Sequence, residues 1–230
     1  DIALLGNRQS NRPGNVPSPG PGLMPVTVGS FSLSVRGDSS KGGPISIAAG
    51  SGTIQVVGNL NSQAFAFQGF DLSFPAGNSD SAGNITLTSN VGNISVEGRL
   101  DASAGSHAIF SSAGDSVDGG NITLSSTSGN IRLVNMDSSV LDAGTVSLGG
   151  DAFSGDSGGG GNIIVSSTTG DILTEGLLVQ SDSRSSSLSF TTPTSSGNSG
   201  TSGNIIFSSV SGTITINSII ESSSSSQASS

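Results

Sequence analysis

The side chains that could carry out chemistry are few in this sequence and are spread singly along the chain. Asp101 and Asp137 occupy similar places in consecutive copies of a repeat. Two neighbouring carboxylates of this kind are what a polysaccharide hydrolase requires. The matching places in other copies hold Asn61, Val179 and Glu221, so the repeat does not conserve a carboxylate there. This spacing favours solvated turns over a catalytic pair.

Histidine, the most frequent general base, occurs once. His107 lies in a stretch that varies from copy to copy, and the sequence places no evident partner beside it. We therefore predict no catalytic residues and a protein that is not an enzyme. A polysaccharide-cleaving β-helix protein is the alternative that the isolated carboxylates leave open.

One metal site is worth considering, in the acidic, glycine-rich stretch 149–158. Asp151 and Asp156 would offer the hard oxygen ligands that calcium prefers. The nonapeptide repeat that such a site requires is missing, so the prediction is no metal and no cofactor, with calcium as the alternative. Arg36, Gly37 and Asp38 spell an integrin-type tripeptide, which arises readily by chance in a chain rich in Gly and Asp.

A repeat must position all of these residues. Five phrases such as Gly-Asn-Ile-Thr-Leu begin at residues 43, 83, 120, 161 and 203. In every copy a second isoleucine follows the first by nine residues, and the two sets are Ile45, Ile85, Ile122, Ile163, Ile205 and Ile54, Ile94, Ile131, Ile172, Ile214. Repeats of this length indicate a solenoid in which each copy buries its apolar face against its neighbours.

Within each phrase apolar residues alternate with Ser, Thr or Gln, which is the period of a β-strand. A third face is expected six residues beyond the second isoleucine, at Leu60, Leu100, Leu178 and Ile220, with Met136 shifted by one residue in the third copy. A further strand-like element at 70–74, 108–110, 146–148 and 188–190 is expected to form a lateral layer, and two coils per repeat is the alternative. The prediction is an all-β, right-handed parallel β-helix of about five repeat units of roughly 40 residues.

Amides recur at fixed places in the repeat. One set is Asn84, Asn121, Asn162 and Asn204, and a second is Asn93, Asn130 and Asp171. Stacked copies would align these side chains into ladders along the rod. Their expected role is structural.

Composition divides the chain into four segments. Residues 1–25 hold five of the eight prolines and predict an extended arm, with a disordered tail as the alternative, and 26–42 alternate as a capping strand. The repeats fill 43–221, and 222–230 form a Ser-rich tail. Residues 1–42 carry a net charge of +2 and the remainder −11. Both ends of the stack look incomplete, which predicts either head-to-tail association of copies or a fragment of a longer rod.

The same composition excludes several classes of protein. The chain has no Cys, so neither a disulfide framework nor a Cys-ligated metal site can form. A net charge of −9 with 4% aromatic residues argues against nucleic acid as a partner. No apolar run approaches the roughly 18 residues that a membrane span needs. Stability must come from stacking.

The phrase Gly-Asn-Ile-Thr-Leu-Thr-Ser-Asn-Val-Gly-Asn-Ile-Ser-Val-Glu-Gly-Arg-Leu-Asp-Ala-Ser at 83–103 resembles the repeats of filamentous-haemagglutinin-type exoproteins of two-partner secretion systems, especially cyanobacterial ones. The resemblance covers about 43–221. It implies a secreted bacterial protein of the cell surface or extracellular space, such as a fibre, adhesin or matrix protein. The expected partners are copies of the chain itself, from the incomplete ends of the stack, and surface polysaccharide or a host cell surface.

Overall fold

In a computed structural model the chain is all-β over the described residues. These are 2–5, 26–29, 32–35, 37–68, 75–108, 111–134, 140–142, 145–149, 153–188 and 195–229. No helix occurs in these ranges, and every strand pairing within them is parallel. The prediction of an all-β fold built from parallel strands is therefore confirmed, and the arrangement is consistent with a solenoid.

The strands follow in chain order. The first eleven are β1 (Ile2–Leu5), β2 (Val26–Gly29), β3 (Ser32–Val35), β4 (Ile45–Ala49), β5 (Ile54–Asn61), β6 (Ala64–Gln68), β7 (Ile85–Ser89), β8 (Ile94–Glu97), β9 (Leu100–Asp101), β10 (Ala104–Ala108) and β11 (Ile122–Ser126). The rest are β12 (Ile131–Val134), β13 (Val140–Asp142), β14 (Thr145–Gly149), β15 (Phe153–Ser154), β16 (Ile163–Ser167), β17 (Ile172–Gln180), β18 (Ser183–Leu188), β19 (Ser195–Ser196), β20 (Ile205–Ser209), β21 (Ile214–Glu221) and β22 (Ser224–Ser229).

Each repeat contributes to three parallel sheets in the same order. Sheet 1 contains β4, β7, β11, β16 and β20. Sheet 2 contains β5, β8 with β9, β12 with β13, β17 and β21, and β1 and β2 lie against β5. Sheet 3 contains β3, β6, β10, β14, β18 and β22. The chain returns to sheet 1 past single bridges that join Ser79, Ser116, Ser157 and Ser199.

The two isoleucine sets fall in register. Ile45, Ile85, Ile122, Ile163 and Ile205 are paired strand by strand in sheet 1. Ile54, Ile94, Ile131, Ile172 and Ile214 are paired likewise in sheet 2. In the first four repeats both sets belong to one apolar core with the inward Leu and Val residues of the same strands, whereas in the last repeat Ile205 is partly buried against this core and Ile214 is exposed. Each fully buried side chain of this kind contributes about 1.5 to 3 kcal/mol.

The third face differs from the sequence prediction. Leu60 and Leu100 extend the sheet 2 strands and pair with each other, and Leu100 pairs onward with Leu141. Leu141 in turn pairs with Val179, so Leu141 and not Met136 continues this column, and Val179 replaces Leu178. Met136 lies outside the described residues. A bulge between Glu175 and Leu178 accounts for the one-residue shift.

Sheet 3 is built from strands whose inward residues are mostly Ala and Ser, such as Ala64, Ala66, Ser183 and Ser185. Val146–Leu148, expected as part of a lateral layer, lies in β14 and therefore in sheet 3. That prediction was wrong because the column of Leu60 and Leu100, taken as the third face, belongs to sheet 2, so this element supplies the third sheet itself. Of the other lateral elements, 70–74 lie outside the described residues.

Strands also occur near both ends of the chain. Within the segment expected as a Pro-rich arm, Ile2–Leu5 pairs with the start of β5, while 6–25 lie outside the described residues. Val26–Gly29 pairs with the end of β5, and Ser32–Val35 pairs with β6. Ser224–Ser229, in the expected tail, pairs with β18. Together these strands extend sheets 2 and 3 by one layer before the first repeat and extend sheet 3 past residue 221.

Candidate functional site

The asparagines that repeat along the sequence lie at the corners between strands. In the first ladder, the side-chain carbonyl of each asparagine accepts a hydrogen bond from the backbone N–H of the ladder residue in the next coil. Asn84 accepts from Asn121 at 2.8 Å, Asn121 from Asn162 at 2.8 Å, and Asn162 from Asn204 at 2.9 Å. These bonds satisfy backbone donors where the strand begins and carry the sheet pattern around the corner.

The second ladder works in the same way between sheets 1 and 2. Asn93 accepts from the N–H of Asn130, and Asn130 accepts from the N–H of Asp171, both at 2.8 Å. Asp171 accepts from the N–H of Thr213 at 2.7 Å. A carboxylate can therefore take the place of the amide, because only the accepting oxygen is used.

A third ladder was missed in the sequence. It runs through Asp38, Asn78, Asp115, Asp156 and Asn198, with N–H to Oδ1 distances of 2.7, 2.9, 2.9 and 2.6 Å. Its sequence signal is Gly-Asn/Asp-Ser at 37–39, 77–79, 114–116, 155–157 and 197–199, with the same spacing as the main repeat. The last four serines of the motif, Ser79, Ser116, Ser157 and Ser199, form the single bridges between coils. The first, Ser39, donates its N–H to Asn78 O.

This ladder gives two of the candidate site residues a structural role. Asp38 of the Arg-Gly-Asp triplet is its first member, and Oδ1 of Asp38 accepts from Asn78. Asp156 of the calcium candidate is its fourth member, and Oδ1 of Asp156 accepts from Asn198. Asp151 lies outside the described residues. The described part of the chain contains no group of three or more metal-ligating side chains.

Buried serines tie glycine carbonyls across coils. The last residue of β7, β11, β16 and β20 is a serine that points inward and donates its hydroxyl to a glycine carbonyl in the preceding coil. The pairs are Ser89 to Gly52 at 3.1 Å, Ser126 to Gly92 at 3.0 Å, Ser167 to Gly129 at 3.0 Å and Ser209 to Gly170 at 2.9 Å. The glycines leave no room for a side chain, because a Cβ at Gly129 would strike the carbonyl of Gly92.

Asp101 is the candidate carboxylate with the densest surroundings. It is buried and forms an ion pair with Arg99. Its Oδ2 accepts from Gln63 Nε2 at 2.8 Å, and its Oδ1 accepts from the N–H and hydroxyl of Ser103 at 3.1 and 2.6 Å. Both oxygens are therefore engaged in bonds that fix the corner between sheets 2 and 3.

The prediction that Asp137 is the counterpart of Asp101 in the next coil was wrong. The strand pairing places Asp142 beside Asp101, so Asp137 is not its partner in the stack. Asp137 itself lies outside the described residues. In stack order the column reads Asn61, Asp101, Asp142, Gln180 and Glu221, a mixture of amides and carboxylates without a regular pattern.

His107 faces outward from β10 and packs edge-to-face against Phe67 of the adjacent strand, with ring centroids 5.6 Å apart. Burial lowers the pKa of His107, because the surroundings disfavour the charged imidazolium. The ring is thus part of a small aromatic contact that favours its neutral form.

Comparison with protein-family models, curated proteins and solved structures finds no match. Among the described residues, no helix has the length and apolar character to cross a membrane. The class that the geometry defines is an all-β protein of stacked parallel sheets, in which the repeated polar residues bond to the neighbouring coil.

Proposed function

We propose that the chain is a section of a right-handed parallel β-helix that serves as a structural rod in a secreted bacterial fibre or adhesin. The observation that carries this proposal is the continuity of the ladders. Polar residues repeat from coil to coil, and their side-chain oxygens accept hydrogen bonds from backbone N–H groups of the next coil. Examples are Asn84, Asn93 and Asp115. Ladders that continue from coil to coil suit a long, rigid stack.

The closed, right-handed coil is supported by the connections. Four residues join sheet 1 to sheet 2 in every repeat, and two residues join sheet 2 to sheet 3 where the connection is described. Parallel crossover connections are right-handed in about 98% of cases. A cryo-electron microscopy or crystal structure tests this directly, and a left-handed path would refute it.

The extracellular location and the filamentous-haemagglutinin-like identity rest on the repeat phrase at 83–103. Immunogold labelling of thin sections of source cells tests the location. Label outside the cell envelope is expected, and label confined to the cytoplasm would contradict it.

Head-to-tail association of copies is the proposed mode of assembly. In the last coil the core columns end on Ile214, Ile216 and Ile220, which are partly exposed, and β20, β21 and β22 each pair on one side only within the described chain. A following coil would cover these side chains and satisfy the open strand edges. The first layer of another copy, with β1, β2 and β3 at its edge, presents parallel strands for this purpose.

The ladders indicate which parts of such a join would match. Asn198 of one copy would meet Asp38 of the next, whose N–H can donate, so the third ladder would continue. Asn204 would meet the position of Pro44, which has no N–H, so the first ladder would stop. The join is therefore weaker than an internal coil-to-coil contact.

Imaging the chain by electron microscopy as its concentration rises tests the assembly. Wild-type rods should lengthen, and Ile220→Lys should block lengthening because it places a charge on the end of the core column. Val117→Lys is the matched control, since Val117 is 44% exposed and Ile220 43%, but Val117 lies on the side of the stack. Single-length particles in the wild type, or equal lengthening in both variants, would rule out the mechanism.

Polysaccharide binding is the second candidate. Phe65, Phe67 and His107 are half-buried on the outer face of sheet 3, and aromatic rings on a flat sheet suit the C–H faces of sugars. Sedimentation with insoluble polysaccharide should then fall when Phe67 is changed to Ser. Binding that is unaffected by this change would exclude the aromatic contact.

A further inference from the structure

The outer face of sheet 1 carries no charge. Its five strands contain only Ile, Leu, Val, Phe, Ala, Ser and Thr. We call the outward side chains the neutral face, and they are Ser46, Ala48, Thr86, Thr88, Thr123, Ser125, Ile164, Ser166, Ile206 and Ser208. Pairing in register aligns them into two columns of hydroxyls and methyl groups, about 4.8 Å apart from strand to strand.

Charges lie on the other sides of the stack. On sheet 2, Arg132 is 3.6 Å from Glu97 and 3.7 Å from Glu175. Asp115 and Asp156 are exposed along the return to sheet 1. Because the chain carries a net charge of −9, two copies that approach through these sides bring like charges together. The neutral face removes that repulsion.

The neutral face also has the shape that another sheet requires. Its outward Thr, Ser and Ile side chains form columns that run from strand to strand, with a groove between the columns. Two identical faces can therefore interdigitate, as packed sheets do at a separation of about 10 Å. Half-buried hydroxyls such as Thr86 and Thr123 can bond across the contact without leaving a buried charge.

From these features we propose that the neutral face is a lateral contact between copies of this chain, in which sheet 1 of one rod packs against sheet 1 of another. Five strands of five residues give a face of about 24 by 17 Å, or roughly 400 Å² per copy. A stable interface needs about 800 Å² per partner. A pair of single copies is therefore bound weakly, and rods twice as long reach the required area.

The strengthening with length rests on the head-to-tail assembly proposed above, whereas the face-to-face contact itself does not. The two can fail separately. Loss of rod lengthening in microscopy would remove the assembly, and the cross-linking test below would still report the lateral contact.

Cysteine cross-linking tests the contact, because the wild-type chain has no Cys and any disulfide must come from an introduced thiol. Thr123→Cys places a thiol in β11, the central strand of sheet 1. Ser95→Cys is the control, since Ser95 is also a half-buried outward hydroxyl but lies on sheet 2. Under mild air oxidation we expect several-fold more disulfide-linked dimer from Thr123→Cys. Equal yields from the two variants would overturn the proposal.

Charges introduced at position 123 provide the second test. Sedimentation velocity should show mass increasing with concentration for the wild type and less so for Thr123→Lys or Thr123→Glu alone. An equimolar mixture of the two should recover the association, because opposite charges then meet across the contact. A mixture that behaves like the single variants would overturn the proposal. Binding to insoluble polysaccharide that is lost in Thr123→Lys, without cross-linking at position 123, would assign the face to a sugar partner instead.

Discussion

At the scale of single residues, Thr174 is a polar side chain set within an apolar column of the core. Thr174 lies in the inward column of Val96 and Leu133 in sheet 2, where its hydroxyl is buried and has no hydrogen-bond partner. Replacing Thr174 with Val keeps the shape and removes the desolvated hydroxyl. We expect the free energy of unfolding to rise by about 1 kcal/mol, measured by urea denaturation.

Val165→Thr is the reverse control for this prediction. Val165 is buried in sheet 1, and the change introduces a hydroxyl into an apolar column. The free energy of unfolding should fall by about 1 to 3 kcal/mol. A Thr174→Val protein that is less stable than the wild type would mean that the hydroxyl bonds to a group such as a buried water.

His107 makes the free energy of unfolding depend on pH in mildly acidic solution. Because burial lowers its pKa below 6.5, the unfolded chain binds a proton more readily than the folded one. The neutral ring's contribution is fully present above pH 6.5 and is lost as the pH falls below that value. His107→Leu, which matches Leu148 on the next strand, removes the effect. The urea midpoint of the wild type should fall more than that of the variant between pH 7.5 and 5.5, and parallel curves would contradict this.

At the scale of the strand and its turn, close stacking depends on glycine. A side chain at Gly129 would strike the carbonyl of Gly92 in the preceding coil. Gly129→Ala should therefore destabilise the fold by about 3 kcal/mol or more, since the backbone of two coils would have to separate.

Gly50 provides the comparison. It lies at the equivalent kind of turn, after β4, and a Cβ there meets no atom within 4 Å. Gly50→Ala should leave the urea midpoint close to that of the wild type. If both substitutions had the same effect, loss of glycine flexibility and not a steric clash would be the cause.

The sequence was sufficient for the parts of each repeat that bury large side chains. Ile85 and Ile94 recur with a fixed nine-residue offset, so their columns could be aligned without a structure. Sheet 3 could not be located, because Ala64 and Ser183 point inward with little apolar surface. The column through Leu100 was misplaced because Leu141 follows Ile131 by ten residues and not six, and because a bulge in β17 shifts its member from Leu178 to Val179.

The candidate sites were harder to judge than the fold. Asp38 and Asp156 resemble parts of known motifs when each is considered alone. Their structural role emerges only when the Gly-Asn/Asp-Ser spacing is compared across all five repeats. A side-chain oxygen that bonds to a backbone N–H some 40 residues away leaves no local signal.

At the scale of the whole molecule, each coil contacts only its neighbours, so a coil should be removable. Deleting residues 125–165 joins Leu124 to Ser166, which is the strand partner of Ser125. The shortened chain should remain folded, with a lower denaturant m-value because less surface is exposed on unfolding. Circular dichroism should retain the β-sheet spectrum.

A deletion that is one residue shorter makes the test specific for register. Deleting 125–164 joins Leu124 to Val165 and places Val165, which is buried in the wild type, in the outward position of Ser125. Because side chains alternate along a strand, the residues that follow are turned to the opposite face until a turn absorbs the shift. This variant should unfold at clearly lower urea than the in-register deletion. Equal stability of the two would mean that the stack does not depend on the alignment of its columns, and the rod-like reading of the repeat would have to be abandoned.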